Sequence, residues 1–344
     1  MKAKKIGVLT GGGDCPGLNP TLRAVVRKAL YENISVVGIK NGWKGLITKN
    51  TVNMDRNSVS GILPRGGTIL GTSRTNPYKK EGDLEKTKNN IKALKLDALI
   101  VIGGDDTLGA ASKLHKEGIK VVGVPKTIDN DLSCTDFTFG FDTAVNIATE
   151  AIDRLHTTAE SHHRIMVVEI MGRHAGWIAT YAGIAGGADI ILIPEVPVDV
   201  NEVCKIIKKR HGGGKDFSIV VVAEGAQLKD HTLVLQTKKK DAFGNVLLGG
   251  IGHVLGKQIE ERTGYETRVT VLGHIQRGGS PTAFDRVLGT RFGVKAVELV
   301  MKREFGKMVA LKGNKIVGVP IADAVGTLKT VDMGLYDIAK IFFG

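Results

Sequence analysis

Three short segments of the 344-residue chain combine glycines with carboxylates in the way that phosphate chemistry needs. Gly11-Gly12-Gly13-Asp14-Cys15-Pro16-Gly17 follows an apolar run. Glycine there lets backbone N–H groups approach an anion closely. No Gly-Lys-Ser/Thr follows and no clean GxGxxG is present, so this is neither a Walker A loop nor a dinucleotide fingerprint. Gly103-Gly104-Asp105-Asp106-Thr107 repeats the plan. Its adjacent carboxylates can simply cap a helix, or an aspartate can hold Mg2+ against phosphate oxygens. Pro125-Lys126-Thr127-Ile128-Asp129-Asn130-Asp131 sets two carboxylates two residues apart in one turn. One can accept the proton of an attacking hydroxyl while the other orients it or binds metal. Asx-turn chemistry is the plain alternative; the position at a strand end favours the functional one.

Basic groups follow: Arg164, Arg173 within Met171-Gly172-Arg173, Arg268, and His274-Ile275-Gln276-Arg277-Gly278-Gly279, with Glu224 among them. The planar guanidinium suits bidentate phosphate binding, and His274 with Arg277 makes a compact anion clamp. Taken singly, each arginine reads as a surface residue. His162, His163 and His174 show no partner pattern and are expected to be structural or at the surface.

The elements that must position these groups are legible as short β-rich apolar runs. Lys5–Thr10, Ile34–Ile39, Ala98–Ile102, Lys120–Val124, Ile165–Met171, Ile190–Ile193 and Ser218–Ala223 read as buried parallel strands. Helical patterns fall between them at Asn19–Tyr31, Asp83–Lys95, Thr107–His115 and Asp142–His156. This alternation predicts an α/β fold with mainly parallel sheets covered on both faces. Ligands of such sheets bind beyond the carboxyl ends of the strands, where Gly11–Gly13, Gly103–Gly104, Gly172 and Gly225 fall. Within Gln227–Gly252, two apolar runs flank a polar turn and predict a β-hairpin with Phe243-Gly244-Asn245 near its tip.

A net charge of +13 without a basic tail, zinc-finger or homeodomain pattern favours small anionic substrates over nucleic acid. Cys15, Cys134 and Cys204 form no CxxC pair, which suits a reducing cytoplasm. No stretch approaches the roughly 20 apolar residues of a membrane span. The length predicts two lobes, since single cores stop growing near about 300 residues.

GGGDCPGLN, RGGTILGTSR, GGDDT, PKTIDND, SHHRIMVVEIMGR and LGHIQRGGSP together resemble the phosphofructokinase family, in order and over nearly the whole chain. The resemblance implies two αβα lobes with the active site in the cleft between them, Mg2+ as cofactor, and a homodimer or homotetramer with shared active sites. Each lobe would be discontinuous. Residues 1–140 with about 276–322 would bind the phosphoryl donor and magnesium, and 141–275 with about 323–344 would bind fructose 6-phosphate.

Residue by residue, the resemblance implies that Gly11, Gly12, Gly104 and Arg74 face the phosphoryl donor and that Asp105 holds Mg2+. Asp129 would be the base for the 1-hydroxyl of fructose 6-phosphate, with Thr127 and Asp131 beside it. Met171, Gly172 and Arg173 would help bind sugar and stabilise the transferring charge, and Glu224 would bind sugar hydroxyls. Arg164 and Arg268 would reach the sugar phosphate across a subunit boundary, with His274 and Arg277 completing that pocket. Family members that use ATP carry glycine where this chain has Asp106 and Lys126, so the donor implied here is inorganic pyrophosphate. Asp106 would repel the α-phosphate of a nucleotide, and Lys126 would supply a point charge for a phosphate leaving group.

Arg23, Arg27, Arg56 and Lys215 match basic positions of the family's effector pocket, but His156 and Gly213 replace two others. That loss argues against the usual ADP or phosphoenolpyruvate control. The competing readings are a phosphofructokinase using ATP or both donors, a lipid or NAD kinase with a GGDG-like loop, and a non-catalytic subunit. PKTIDND and HIQRGGSP disfavour the second, and the presence of Asp105, Asp129, Arg173 and Arg277 disfavours the third.

Overall fold

The run KIGVLT is buried from its second residue to its last and forms a strand; VVGVP and SIVVVA are buried along their whole length. Such runs are covered on both faces, as the strands of parallel sheets are. The computed structural model describes residues 3–229 and 250–344, with the backbone alone of 235–240 and 246–248.

In chain order the strands are β1 (Lys5–Thr10), β2 (Ser35–Ile39), β3 (Thr51–Met54), β4 (Ala98–Gly103), β5 (Val121–Pro125), β6 (Ile165–Ile170), β7 (Ile190–Leu192), β8 (Ser218–Ala223), β9 (Leu235–Lys240), β10 (Val246–Leu248), β11 (Thr267–Val271), β12 (Lys307–Lys312) and β13 (Lys315–Pro320). The helices are α1 (Leu18–Tyr31), α2 (Gly42–Thr48), α3 (Asp83–Ala93), α4 (Asp105–Lys116), α5 (Phe141–His162), α6 (Trp177–Ala185), α7 (Val200–Gly212), α8 (Ile251–Thr263), α9 (Ala283–Met301), α10 (Ile321–Ala324) and α11 (Met333–Lys340). The chain divides into two units, one of residues 1–128, 132–143 and 277–328, the other of 129–131, 144–276 and 329–344.

The first unit holds a seven-stranded sheet in the order β13-β12-β5-β4-β1-β2-β3. Its inner pairs are parallel, and antiparallel β3 and β13 close the two edges. The chain leaves β1 for β2 on one side and returns to β4 on the other, so the topological switch point lies between β1 and β4. Leu9, Leu99, Val101, Leu108 and Met308 are among the buried core residues of this unit.

α1 buries Leu18, Leu22, Val25, Val26 and Ala29, the spacing of one helix face. α9 packs there with Gly289 and Gly293, four residues apart. A Cβ on Gly289 would meet Thr21 Oγ1 at 2.6 Å, and one on Gly293 would meet the Thr21 carbonyl oxygen at 2.6 Å. The two backbones therefore run closer than any larger residue permits. At the start of α9, buried Asp285 accepts from the Thr143 N–H and hydroxyl at 2.9 and 2.5 Å. Thr282, the N-cap of α9, donates its hydroxyl to Asp142 at 2.6 Å. The beginnings of α5 and α9 are thus laced together inside the first unit.

The second unit holds a four-stranded parallel sheet, β11-β6-β8-β7. Val167, Val220, Val222, Ile207, Leu255 and Ile259 are among its core residues. The crossovers go one way from β6 to β7 and the other way from β8 to β11, so the direction reverses between adjacent β6 and β8. β9 and β10 pair antiparallel in the segment where a hairpin is expected; the expected tip at Phe243-Gly244-Asn245 lies outside the described residues.

Candidate active site

In the first unit, β1, β4 and β5 are neighbours, and each ends in one of the three glycine and carboxylate segments. The Gly11 N–H donates to the Ile102 carbonyl at 2.9 Å, and the Lys126 N–H to the Gly103 carbonyl at 2.9 Å. Three loops far apart in sequence therefore emerge side by side at the β1–β4 switch point, where open α/β sheets bind ligands. Close approach requires glycine here. A Cβ on Gly11 would sit 2.7 Å from Thr107 Cγ2, and Gly12 has φ 79°, in the left-handed region.

Lys126 is only 4% exposed, and its ammonium donates to the Gly13 carbonyl. A Cβ placed on Gly12 would lie 3.5 Å from that nitrogen. This sets a buried ammonium beside the backbone of the Gly11–Gly13 loop, where its charge suits an anion. Asp105 and Asp106 open α4 as exposed residues of its first turn. Gly104 is the N-cap and makes no side-chain cap bond, so neither aspartate occupies the capping position. Both carboxylates still suit the positive end of the helix.

Residues 72–73 lie along the first loop. The Gly12 N–H donates to the Ser73 carbonyl at 3.2 Å, and the Thr72 hydroxyl donates to the Gly12 carbonyl at 2.5 Å. That places the segment carrying Arg74 beside Gly12. Arg277 is packed against the same loop, since a Cβ on Gly13 would collide with its Nη1. Cys15 donates to the Phe139 carbonyl at 3.7 Å, and burial pushes its thiol up to about 12, so it has no nucleophilic thiolate. Thr127 has its carbonyl held by the Thr138 hydroxyl at 2.8 Å.

In the second unit, Met171-Gly172-Arg173 leaves β6 and Glu224-Gly225 leaves the adjacent β8. The Glu224 N–H donates to the Ile170 carbonyl at 2.7 Å and the Gly225 N–H to the Gly172 carbonyl at 3.1 Å. Arg173 and Glu224 therefore stand on neighbouring strand ends. The Met171 N–H donates to Gln276 Oε1 at 3.3 Å, which anchors the 3-10 turn Gly273–Arg277 that carries exposed His274. Gln276 is fully buried, a positioning role that its polar character among motif residues concealed. Asp129–Asp131 belongs to this unit, and Asn130 adopts φ 50°.

Arg164 and Arg268 come together elsewhere. Both pair with Glu266, Arg164 at 2.9 Å, and the two guanidinium groups hold its carboxyl below the usual range, Arg164 chiefly. They lie at the amino ends of β6 and β11, whereas Arg173 and Glu224 lie at the carboxyl ends. One strand length, roughly 20 Å, separates the two groups within the chain. His156, where the effector pocket resemblance expects a cation, is turned to the Gly186 carbonyl at 2.7 Å.

Among the described residues no group of three or more His, Cys, Asp and Glu converges as a metal cage. The exposed carboxylates opening α4 beside the glycine loop are instead the hard oxygen donors that Mg2+ uses. That ion typically takes one or two carboxylates and completes its shell with waters and substrate phosphates. The residues present fit a magnesium ion of this kind.

A doubly wound sheet whose switch-point loops present glycine, a buried ammonium and helix-opening carboxylates defines a phosphate-handling α/β enzyme. The crystal structure of Pichia pastoris phosphofructokinase in the T-state has a similar fold, at TM-score 0.85 and 32% identity over 99% of this chain and 36% of that one. The chain belongs to the phosphofructokinase family, whose model matches residues 5–300. Among curated proteins, pyrophosphate–fructose 6-phosphate 1-phosphotransferase of Streptomyces coelicolor is 59% identical over 99% of this chain and 100% of its own length. An ATP-dependent 6-phosphofructokinase of Mycobacterium bovis is 54% identical over the same shares.

Proposed function

We propose that this chain transfers a phosphoryl group from inorganic pyrophosphate to the 1-hydroxyl of fructose 6-phosphate, giving fructose 1,6-bisphosphate and phosphate. The observation that carries the reading is the buried Lys126 ammonium on the Gly13 carbonyl, at the switch point of the first sheet. A compact ammonium suits a phosphate leaving group. Asp106, in the neighbouring first turn of α4, would set like charge against a nucleotide's α-phosphate. The full-length relative named for pyrophosphate supports the same donor.

The first unit binds the donor and magnesium, and most of the residues assigned to the sugar phosphate belong to the second. Asp129 takes the proton from the 1-hydroxyl, the freed oxygen forms the new bond to phosphorus, and the bridging P–O bond of pyrophosphate breaks. Lys126 meets the charge that develops on the departing phosphate. Gly11, Gly12, Gly104 and Arg74 hold the donor, while Arg173 and Thr127 face the transferring group. Asp131, Met171, Gly172, Glu224, His274 and Arg277 bind the sugar phosphate. Asp105 holds Mg2+, which supplies positive charge to phosphate oxygens when bound. Arg164 and Arg268 stand a strand length from Arg173 and serve a neighbouring copy, in a homodimer or homotetramer. The reaction runs in the cytoplasm and needs no membrane; no described helix is long and apolar enough to cross one.

ATP is the second reading, favoured by the ATP-dependent relative at 54% identity. Steady-state assays of the purified protein with fructose 6-phosphate and either pyrophosphate or ATP, with magnesium and in both directions, separate the two. The expected outcome is a clear preference in kcat/KM for pyrophosphate. A wide preference for ATP replaces the first reading with the second.

A further inference from the structure

The Gly172–Gly176 loop, which carries Arg173, is fastened at both ends. At its start Gly172 accepts from the Gly225 N–H at 3.1 Å. At its end the Gly176 N–H donates to both oxygens of Glu195, at 3.0 and 3.1 Å. Glu195 lies in the connection after β7 and is half-buried. Its Oε1 also accepts the Val331 N–H, at 2.9 Å. Two residues before Val331, the Lys329 N–H donates to the Asp131 carbonyl at 3.0 Å. The Lys329 carbonyl in turn accepts from Trp177 Nε1 at 3.0 Å, and Trp177 directly follows Gly176.

These bonds close a circuit through Gly176, Glu195, Val331, Lys329 and Trp177, with Asp131 attached at Lys329. All six residues belong to the second unit. One three-residue stretch, 329–331, therefore grips both the loop bearing Arg173 and the residue two beyond Asp129. The loop has little room to adjust. A Cβ on Gly172 would lie 2.9 Å from the Ala175 carbonyl oxygen, and one on Gly176 would lie 3.1 Å from Glu195 Oε2. The middle of the loop also feels Asp131. His174 is held below its ordinary value by loss of solvent and then by Arg173, against an opposing pull from Asp131.

We propose that Glu195 and Trp177 are positioning residues. Through the 329–331 segment they set where Arg173 stands relative to Asp131 and its neighbour Asp129. The proposal rests on the roles assigned to Arg173 and Asp129 above. A carboxylate suits 195 because it only accepts: Oε1 serves both backbone N–H donors and Oε2 also faces the Gly176 N–H, where a glutamine would set its own NH2.

The test is steady-state kinetics and thermal melting of full-length E195Q, E195D and W177F, with fructose 6-phosphate and pyrophosphate. Displacement of a catalytic group by about 1 Å costs up to ~10²-fold, so E195Q and W177F should each lose roughly tenfold in kcat. KM for the sugar should change by less than about threefold, because the interaction lost is one made in the transition state. E195D should recover part of the loss. The double variant E195Q/W177F should lose less than the product of the single losses, because both cut one circuit. A merely structural role would lower Tm and leave kcat in place. Folded E195Q and W177F with kcat and KM both within about twofold of wild type overturn the proposal. If E195Q does not fold, W177F, which keeps an aromatic ring in place, decides alone. A wild type inactive with both donors instead removes the phosphotransfer reading and the positioning role with it.

Discussion

On the proposed function, Lys126 and Asp106 are the two side chains that set the choice of phosphoryl donor. Lys126 is buried against backbone oxygen, while Asp106 is exposed on the first turn of α4. An unpaired like-charge contact in a desolvated site costs several kcal/mol, and about 1.4 kcal/mol is a factor of ten. The double variant D106G/K126G should shift kcat/KM preference toward ATP by roughly two decades or more. D106G alone should admit ATP, and K126G alone should mainly slow the pyrophosphate reaction. Donor preferences unchanged across the three variants would falsify the assignment. Asp285 offers a pH test in the same unit. Burial raises its carboxyl from 3.8 to about 6, against the opposing bonds from Thr143. Between about pH 4 and pH 6 the folded state holds the proton more tightly than the unfolded one, so stability falls as pH rises through that window. The full span corresponds to about 3 kcal/mol. D285N, which cannot ionise, should flatten this fall in Tm; melting curves of both proteins from pH 4 to 8 check it.

At the scale of elements, the α1–α9 seam fixes the mount of the first glycine loop, since α1 begins directly after Gly17. Gly289→Ala would force a methyl onto Thr21 and the Gly17 carbonyl, the latter at 3.0 Å. Overpacking of this kind costs about 1–3 kcal/mol, so Tm should fall by several degrees. A melting temperature equal to wild type would show that the seam can open without cost. The seam was not legible in the sequence. α9 buries glycines and Asp285 along with its apolar residues, and so shows no clean apolar stripe. β11 and β13 escaped for a related reason: as edge strands they keep exposed or half-buried positions and lack a continuous buried run. Most central strands were legible because burial on both faces demands an unbroken apolar run; β12 was missed although it is an inner strand with a buried Met-Val-Ala-Leu run. Lys5–Thr10 and Ser218–Ala223 were read to the residue. Of the candidate site, the position of the glycine and aspartate segments at strand ends was legible because each motif is local. Gln276, Thr107 and Glu195 were not, because their partners lie far away in sequence and only the fold brings them together.

At the scale of the whole molecule, Arg164 and Arg268 sit at the wrong end of their own sheet to join Arg173. On the proposed function they would serve a neighbouring copy, and subunit exchange tests that. Mixing R268A with D129S should restore activity that neither protein has alone, because some hybrid sites carry neither change. No recovery from an oligomer shown to exchange would sink the shared site. The division of the first unit into three stretches of chain has a further consequence, for biosynthesis. On the ribosome, α1 emerges long before α9, with residues 144–276 of the other unit made in between. At about 5–20 residues per second, those roughly 130 residues take on the order of 7–27 s. For that time Leu22, Val25 and Val26 wait without their partner helix, and β5 waits for β12. The second unit can collect most of its sheet while the first remains incomplete. The nascent chain therefore depends, through that interval, on whatever shields its earliest apolar helix from other chains.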